Sequence, residues 1–148
     1  MTDAKRGGRR RHPPRSLLRY AACAIVTVTI LVPGMAQGQS AAVVRITMRE
    51  FAFQPSVIRL AAGRTVRLIL VNQGQIAHQF ESVYLGAVPL RVGDNWLSVE
   101  VPGAGAVRLN PDGTAWLEFV PRRRGRFTFA CTLEGHREAG MAGTLDVR

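Results

Sequence analysis

The stretch "RFTFACTLEGHREAGMAGTLDVR", residues 126–148, reads as strand, loop and strand. In its first part Phe127, Phe129 and Cys131 alternate with Arg126, Thr128 and Ala130, the period of two expected of a half-buried β-strand. In its last part Leu145 and Val147 alternate with Thr144 and Asp146. Between them, Cys131, His136 and Met141 fall within eleven positions, and Gly135, Gly140 and Gly143 permit a tight excursion of the chain. A thiolate, an imidazole and a thioether on one short loop are a donor set for a soft or borderline metal.

Upstream, the same period recurs. "VVRITM" (43–48) sets Val44, Ile46 and Met48 against Arg45, Thr47 and Arg49. "TVRLILVN" (65–72) is nearly all apolar and rich in β-branched residues, as a central strand should be. "TAWLEFV" (114–120) places Ala115, Leu117 and Phe119 on one side. "AAGR" (61–64) and "NPDGT" (110–114) separate these runs, the latter with Pro111 set for a type I turn. Residues 82–105 are less regular, with loops expected around a short strand near 96–101. This pattern predicts one all-β domain, an antiparallel sandwich or barrel, over residues 37–148.

The formal net charge of +10 belongs mostly to the beginning of the chain. Residues 1–36 carry seven basic residues against Asp3 alone, and what remains comes largely from "RRRGR" (122–126), read as a solvated turn. The charge is therefore no signal for nucleic acid. A basic start, the apolar run "YAACAIVTVTILV" (20–32) and small residues after Pro33 have the form of a secretory signal. As a helix the run would cover about 20 Å, less than the ~30 Å hydrocarbon core. Residues 1–36 are thus expected to be a signal peptide, with an uncleaved anchor as the alternative. The protein is expected to be exported, periplasmic or extracellular, and monomeric. A lipid-modified Cys23 is disfavoured because the apolar run follows it, and Pro13 and Pro14 interrupt any twin-arginine signal.

Loss of the leader removes Cys23 and leaves Cys131 alone in an oxidising compartment, where no internal disulfide is open to it. Ligation would protect it. Two His, one Cys and a weak axial Met form the blue-copper arrangement. Zinc sites favour Cys and His in paired short spacings, and neither C-x2-C nor H-x3-H occurs here. The second imidazole has to come from far away, and His78, after "VNQGQIA", is the one other histidine beyond residue 36. Met48 shares the Val44–Ile46 face and is read as core.

With Asn72 leading to His78 and "GRFTFACTLEGHREAGMAGTLDV" from Gly125 to Val147, the chain resembles the cupredoxins, small exported copper proteins of the plastocyanin/azurin-like group. The resemblance covers roughly residues 42–148. It implies a Greek-key β-sandwich with one type 1 copper ion, Cu(I)/Cu(II), at one end, bound by His78, Cys131, His136 and Met141. It implies a one-electron carrier between redox protein partners, with the edge of His136 as the electron exit. An alternative is a periplasmic copper-binding protein for buffering, delivery or tolerance, with copper-handling proteins as partners. Enzymatic activity is not expected, because a thiol nucleophile or a multicopper oxidase would need groups this chain does not offer. The sequence departs from the family at Gln79. The best-known members have Asn there, and it ties the histidine loop to the residue beyond the Cys, here Thr132.

Overall fold

Val66–Asn72 is buried at five of its seven positions, with Leu68 and Leu70 fully enclosed. A strand this apolar needs neighbours on both edges and a layer above it, and the chain supplies both. The computed structural model describes residues 40–148; the expected signal segment, 1–36, lies outside the described residues.

Eleven strands and one short helix follow in order. They are β1 (Ala42–Arg49), β2 (Ala52–Gln54), β3 (Val57–Leu60), β4 (Val66–Asn72) and β5 (His78–Glu81), then α1 (Val83–Gly86). The remainder are β6 (Leu90–Gly93), β7 (Ser98–Val101), β8 (Ala106–Leu109), β9 (Thr114–Phe119), β10 (Gly125–Ala130) and β11 (Ala142–Val147). One sheet has the order β2-β1-β4-β9-β6-β7 and the other β3-β11-β10-β5-β8. Ile46 and Met48 of β1, Leu68 and Leu70 of β4 and Leu117 of β9 meet Ile58, Phe80, Phe129 and Leu145 of the opposite sheet in one apolar core. Phe80 and Phe129 stack at 4.7 Å between ring centres, and Phe53 meets both edge-on. This is the expected all-β sandwich, and Met48 is core.

Both sheets are mixed where purely antiparallel pairing was expected. β1 pairs with β4 in parallel, and β3 with β11 in parallel. The reason is a crossing of the chain. After β1 it passes to the opposite sheet as β3, then returns beside β1 running in the same direction. A hairpin cannot make that connection, and alternation within a strand carries no mark of it.

Three local readings change. Residues 82–105 hold α1, β6 and β7. The helix is capped by Ser82, whose hydroxyl accepts the Tyr84 N–H. Asp112 has φ of +61°, and Gly113 N–H donates to the Asn110 carbonyl at 3.0 Å, so the third turn residue is left-handed as in type II, not type I. Gly143 is a packing glycine within β11, with the Phe129 ring and the Ser56 carbonyl where a Cβ would stand.

Candidate metal centre

Two loops and two strand ends meet at one end of the sandwich. β4 stops at Asn72, which is fully buried and hydrogen-bonded through its whole side chain. Its amide nitrogen donates to the carbonyls of Ile76 (2.8 Å) and Leu109 (3.0 Å), and its oxygen accepts from Gly74 N–H (2.9 Å). A buried amide satisfied in this way fixes the path of residues 73–77, and that path delivers His78 as the first residue of β5.

The second loop is fixed by its own backbone. Cys131 N–H donates to the Met141 carbonyl at 3.0 Å, Met141 N–H to the His136 carbonyl at 3.0 Å, and His136 N–H to the Leu133 carbonyl at 3.1 Å. Cys131 and His136 are thus each linked to Met141 before any side chain is considered. Gly135 (φ +76°) and Gly140 (φ +101°) supply the left-handed turns that close it.

His78, Cys131 and His136 converge. Nδ1 of His78 lies 3.3 Å from Nδ1 of His136, which lies 3.2 Å from Sγ of Cys131. One donor atom from each falls within 4.8 Å of the others. His78, Cys131 and Met141 are fully buried, and His136 retains 8% exposure. Met141, the remaining expected ligand, is tied to both Cys131 and His136 through its main chain.

Electrostatics agree with ligation. Burial lowers the pKa of His78 below the usual imidazole value, nearby His136 lowers it further, and Glu50 opposes them. His78 is therefore neutral at neutral pH, the form with a lone pair to share. Its Nε2 is buried without a hydrogen-bond partner. Two imidazole nitrogens and a sulfur that face one another at 3.2–3.3 Å in a buried site are a donor cluster that a soft cation can fill. The donor set fits copper.

The environment adds residues that sequence reading did not single out. Glu50, in the β1–β2 turn, accepts the Gln75 N–H, which lowers its pKa and links that turn to the histidine loop. A Cβ on Gly74 would lie 2.6 Å from Oε1 of Glu50 and 2.8 Å from Nε2 of His78, so a side chain at this position would have to displace the carboxylate and the imidazole. Phe51, with φ of +61°, sets its ring edge-on to His136 at 5.3 Å. Nothing in a lone Gly, Glu or Phe signals such roles, since each depends on neighbours distant in sequence.

Gln79 settles the departure noted above. Its Nε2 donates to Thr132 Oγ1 at 2.6 Å, and its backbone N–H points to Cys131 Sγ at 3.3 Å. The tie between the two loops exists, made by an amide one methylene longer.

A mixed β-sandwich with a buried His-Cys-His cluster at one end is the architecture of a cupredoxin. The family model for the cupredoxin-like domain matches residues 21–145, and the chain belongs to that family. Among named relatives it is similar to the copper-resistant cuproprotein CopI of Rubrivivax gelatinosus, 34% identical over 111 residues. That match covers 71% of this chain and 66% of the relative, so the chain spans just under two thirds of that protein. CopI of Pseudomonas aeruginosa is 24% identical over 144 residues, covering 74% of this chain and 78% of the relative. Reduced auracyanin from Roseiflexus castenholzii shares the fold, with a TM-score of 0.55 and 20% identity over 73% of this chain and 98% of the other.

Proposed function

We propose that this protein is an exported copper-handling protein that contributes to copper tolerance, binding one copper ion at His78, Cys131, His136 and Met141. The observation that carries the reading is the buried convergence of His78, Cys131 and His136 in a chain 34% identical to a copper-resistant cuproprotein. Copper bound there would supply a Cu(I)/Cu(II) couple and a type 1 thiolate-to-copper absorption.

The residues do the rest. Cys131 presents a sulfur shielded from oxidants and from other thiols, so copper taken up leaves no reactive thiol behind. The neutral imidazole of His78 binds without first losing a proton. Met141, as a weak thioether donor, holds Cu(I) as well as Cu(II), which suits a compartment where both occur. All four donors are protein atoms, so no position is assigned to a substrate and catalysis is not part of the proposal.

Two measurements test it. Cells lacking the protein should become copper-sensitive, and the wild-type chain should restore growth where Cys131→Ser does not. Unchanged copper tolerance in the deletion strain overturns the role. In the purified protein, an intense visible band on adding Cu(II), absent in Cys131→Ser, supports the ligand set.

The hydrogen-bonded loop favours a second reading, one-electron transfer between redox protein partners. Cys131, His136 and Met141 are held by backbone bonds independent of any ion, so little rearrangement would accompany a change of oxidation state. Repeated redox cycling with the copper retained supports the carrier; prompt transfer of copper to an acceptor supports the handler.

A further inference from the structure

The described residues divide their charge along the long axis of the sandwich. At the end away from the metal centre, Arg64 and the turn Arg122–Arg124 are exposed, and hydrogen bonds from Ala62 and Gly63 to Arg148 and Pro121 bring their loops together. On the adjoining sheet, Arg59 and Arg126 flank Asp146 in register, and Arg148 pairs with it at 2.6 Å. On the other sheet at the same depth, one residue in from the strand ends, Arg67 and Arg91 engage Glu118 and Arg91 also reaches Glu100, so this pole holds nine arginines against Asp146, Glu118 and Glu100.

The metal end has the opposite bias. Glu50, Asp94, Asp112, Glu134 and Glu138 lie in its turns, and Glu81 bonds to Thr132 beside Cys131. Against these six stand Arg49, Arg108 and Arg137. Among the described residues Arg45 is the one remaining charged side chain between the two ends, so the asymmetry lies between the ends.

We propose that the arginine pole is a docking surface for an anionic lipid membrane, holding the domain upright with the metal centre facing away from the bilayer. Two observations favour lipid over an acidic protein. First, the pole is separated from the metal ligands by the length of β4, seven residues or about 20 Å at ~3.3 Å per residue, so a partner bound there touches no ligand. Second, Arg64, Arg122 and Arg124 project from exposed turns at the tip of the sandwich, as suits a flat, charged sheet of headgroups. The acidic metal end is repelled by the same headgroups, which fixes the orientation as well as the attachment.

The test uses the copper-loaded protein in the form the producing cell exports, sedimented with vesicles of phosphatidylcholine alone or with 30 mol % phosphatidylglycerol. Tighter binding to the anionic vesicles, weakening as salt is raised, is expected. Arg64→Glu, Arg122→Glu and Arg124→Glu together should reduce that binding at least tenfold while the copper absorption stays intact. If the reversed variant fails to fold, the same three positions changed to Gln should give a smaller loss in the same direction. Equal binding to both vesicle types, or no effect of the arginine changes, overturns the proposal. Retention by an acidic polypeptide through these arginines, without preference for anionic vesicles, overturns it too. None of these readouts depends on whether the copper is stored, delivered or cycled.

Discussion

The side-chain amide of Gln79 donates to the hydroxyl of Thr132 at 2.6 Å, joining the loop that carries His78 to the loop that carries Cys131. Glu81 closes a triangle with the pair, accepting from Thr132 at 2.6 Å and from Gln79 at 3.1 Å. Removal of this bond should loosen the relative placement of two proposed ligands, His78 and Cys131, without altering either. Gln79→Ala is expected to weaken copper binding by roughly 10- to 100-fold, the range for lost supporting contacts at metal sites. Thr132→Val should give a similar loss, and the double variant should lose less than the sum of the two, because the Gln79–Thr132 bond is lost in all three. Competition titration with a copper chelator measures each. Additive losses would show that the two side chains act separately.

Met141 is both the proposed weak ligand and part of the packing around the site. It is fully buried in the core cluster, so Met141→Leu, which conserves volume, should cost less than about 1.5 kcal/mol of fold stability. The visible band should persist, because Cys131 and both imidazoles remain, while the reduction potential shifts. Loss of all colour in Met141→Leu would mean that the thioether is essential to the site and not a weak donor.

Gly143 stands where β11 passes against Phe129 and the Ser56 carbonyl. A methyl group there has no room, and Gly143→Ala should destabilise the fold by about 1–3 kcal/mol. Gly105, with nothing within 4 Å of its would-be Cβ, is the control. Gly105→Ala should leave stability unchanged or raise it by about 0.4–1 kcal/mol through the unfolded chain. Urea denaturation of both variants without copper distinguishes packing from metal effects.

Asp146 gives the fold an acid-sensitive element remote from the metal. The hydrogen bond from Arg148 lowers its pKa below the usual carboxylate value, burial works against this, and the charges of Arg148, Arg126 and Arg59 assist. A carboxyl whose folded pKa is depressed contributes stability above its unfolded pKa, near 4, and that contribution is lost as pH falls through the lower folded value. Asp146→Asn should therefore be less stable than the parent at pH 7, and the gap should narrow towards pH 3. A gap constant with pH would show that the carboxylate charge is not the source of the effect.

The sequence by itself determined a great deal here, because its strongest signals are local. Strands β1, β9, β10 and β11 show as period-two runs and β4 as a nearly continuous apolar run, and Cys131, His136 and Met141 lie close enough in sequence to be read as one donor loop. His78 was legible as the remaining histidine beyond residue 36. Tertiary structure decided what depends on residues far apart. Strands β2, β3, β5 and β8, three or four residues each, are too short for a period to show and exist only because a neighbouring strand completes their hydrogen bonds. The parallel pairings follow from the crossing of the chain between sheets. Glu50, Gly74 and the Gln79–Thr132 bond matter through atoms brought together from separate loops. The sequence named the donors; the convergence of His78 on Cys131 and His136 is a property of two loops fixed by Asn72 and by the backbone bonds of Met141, and only the folded chain contains it.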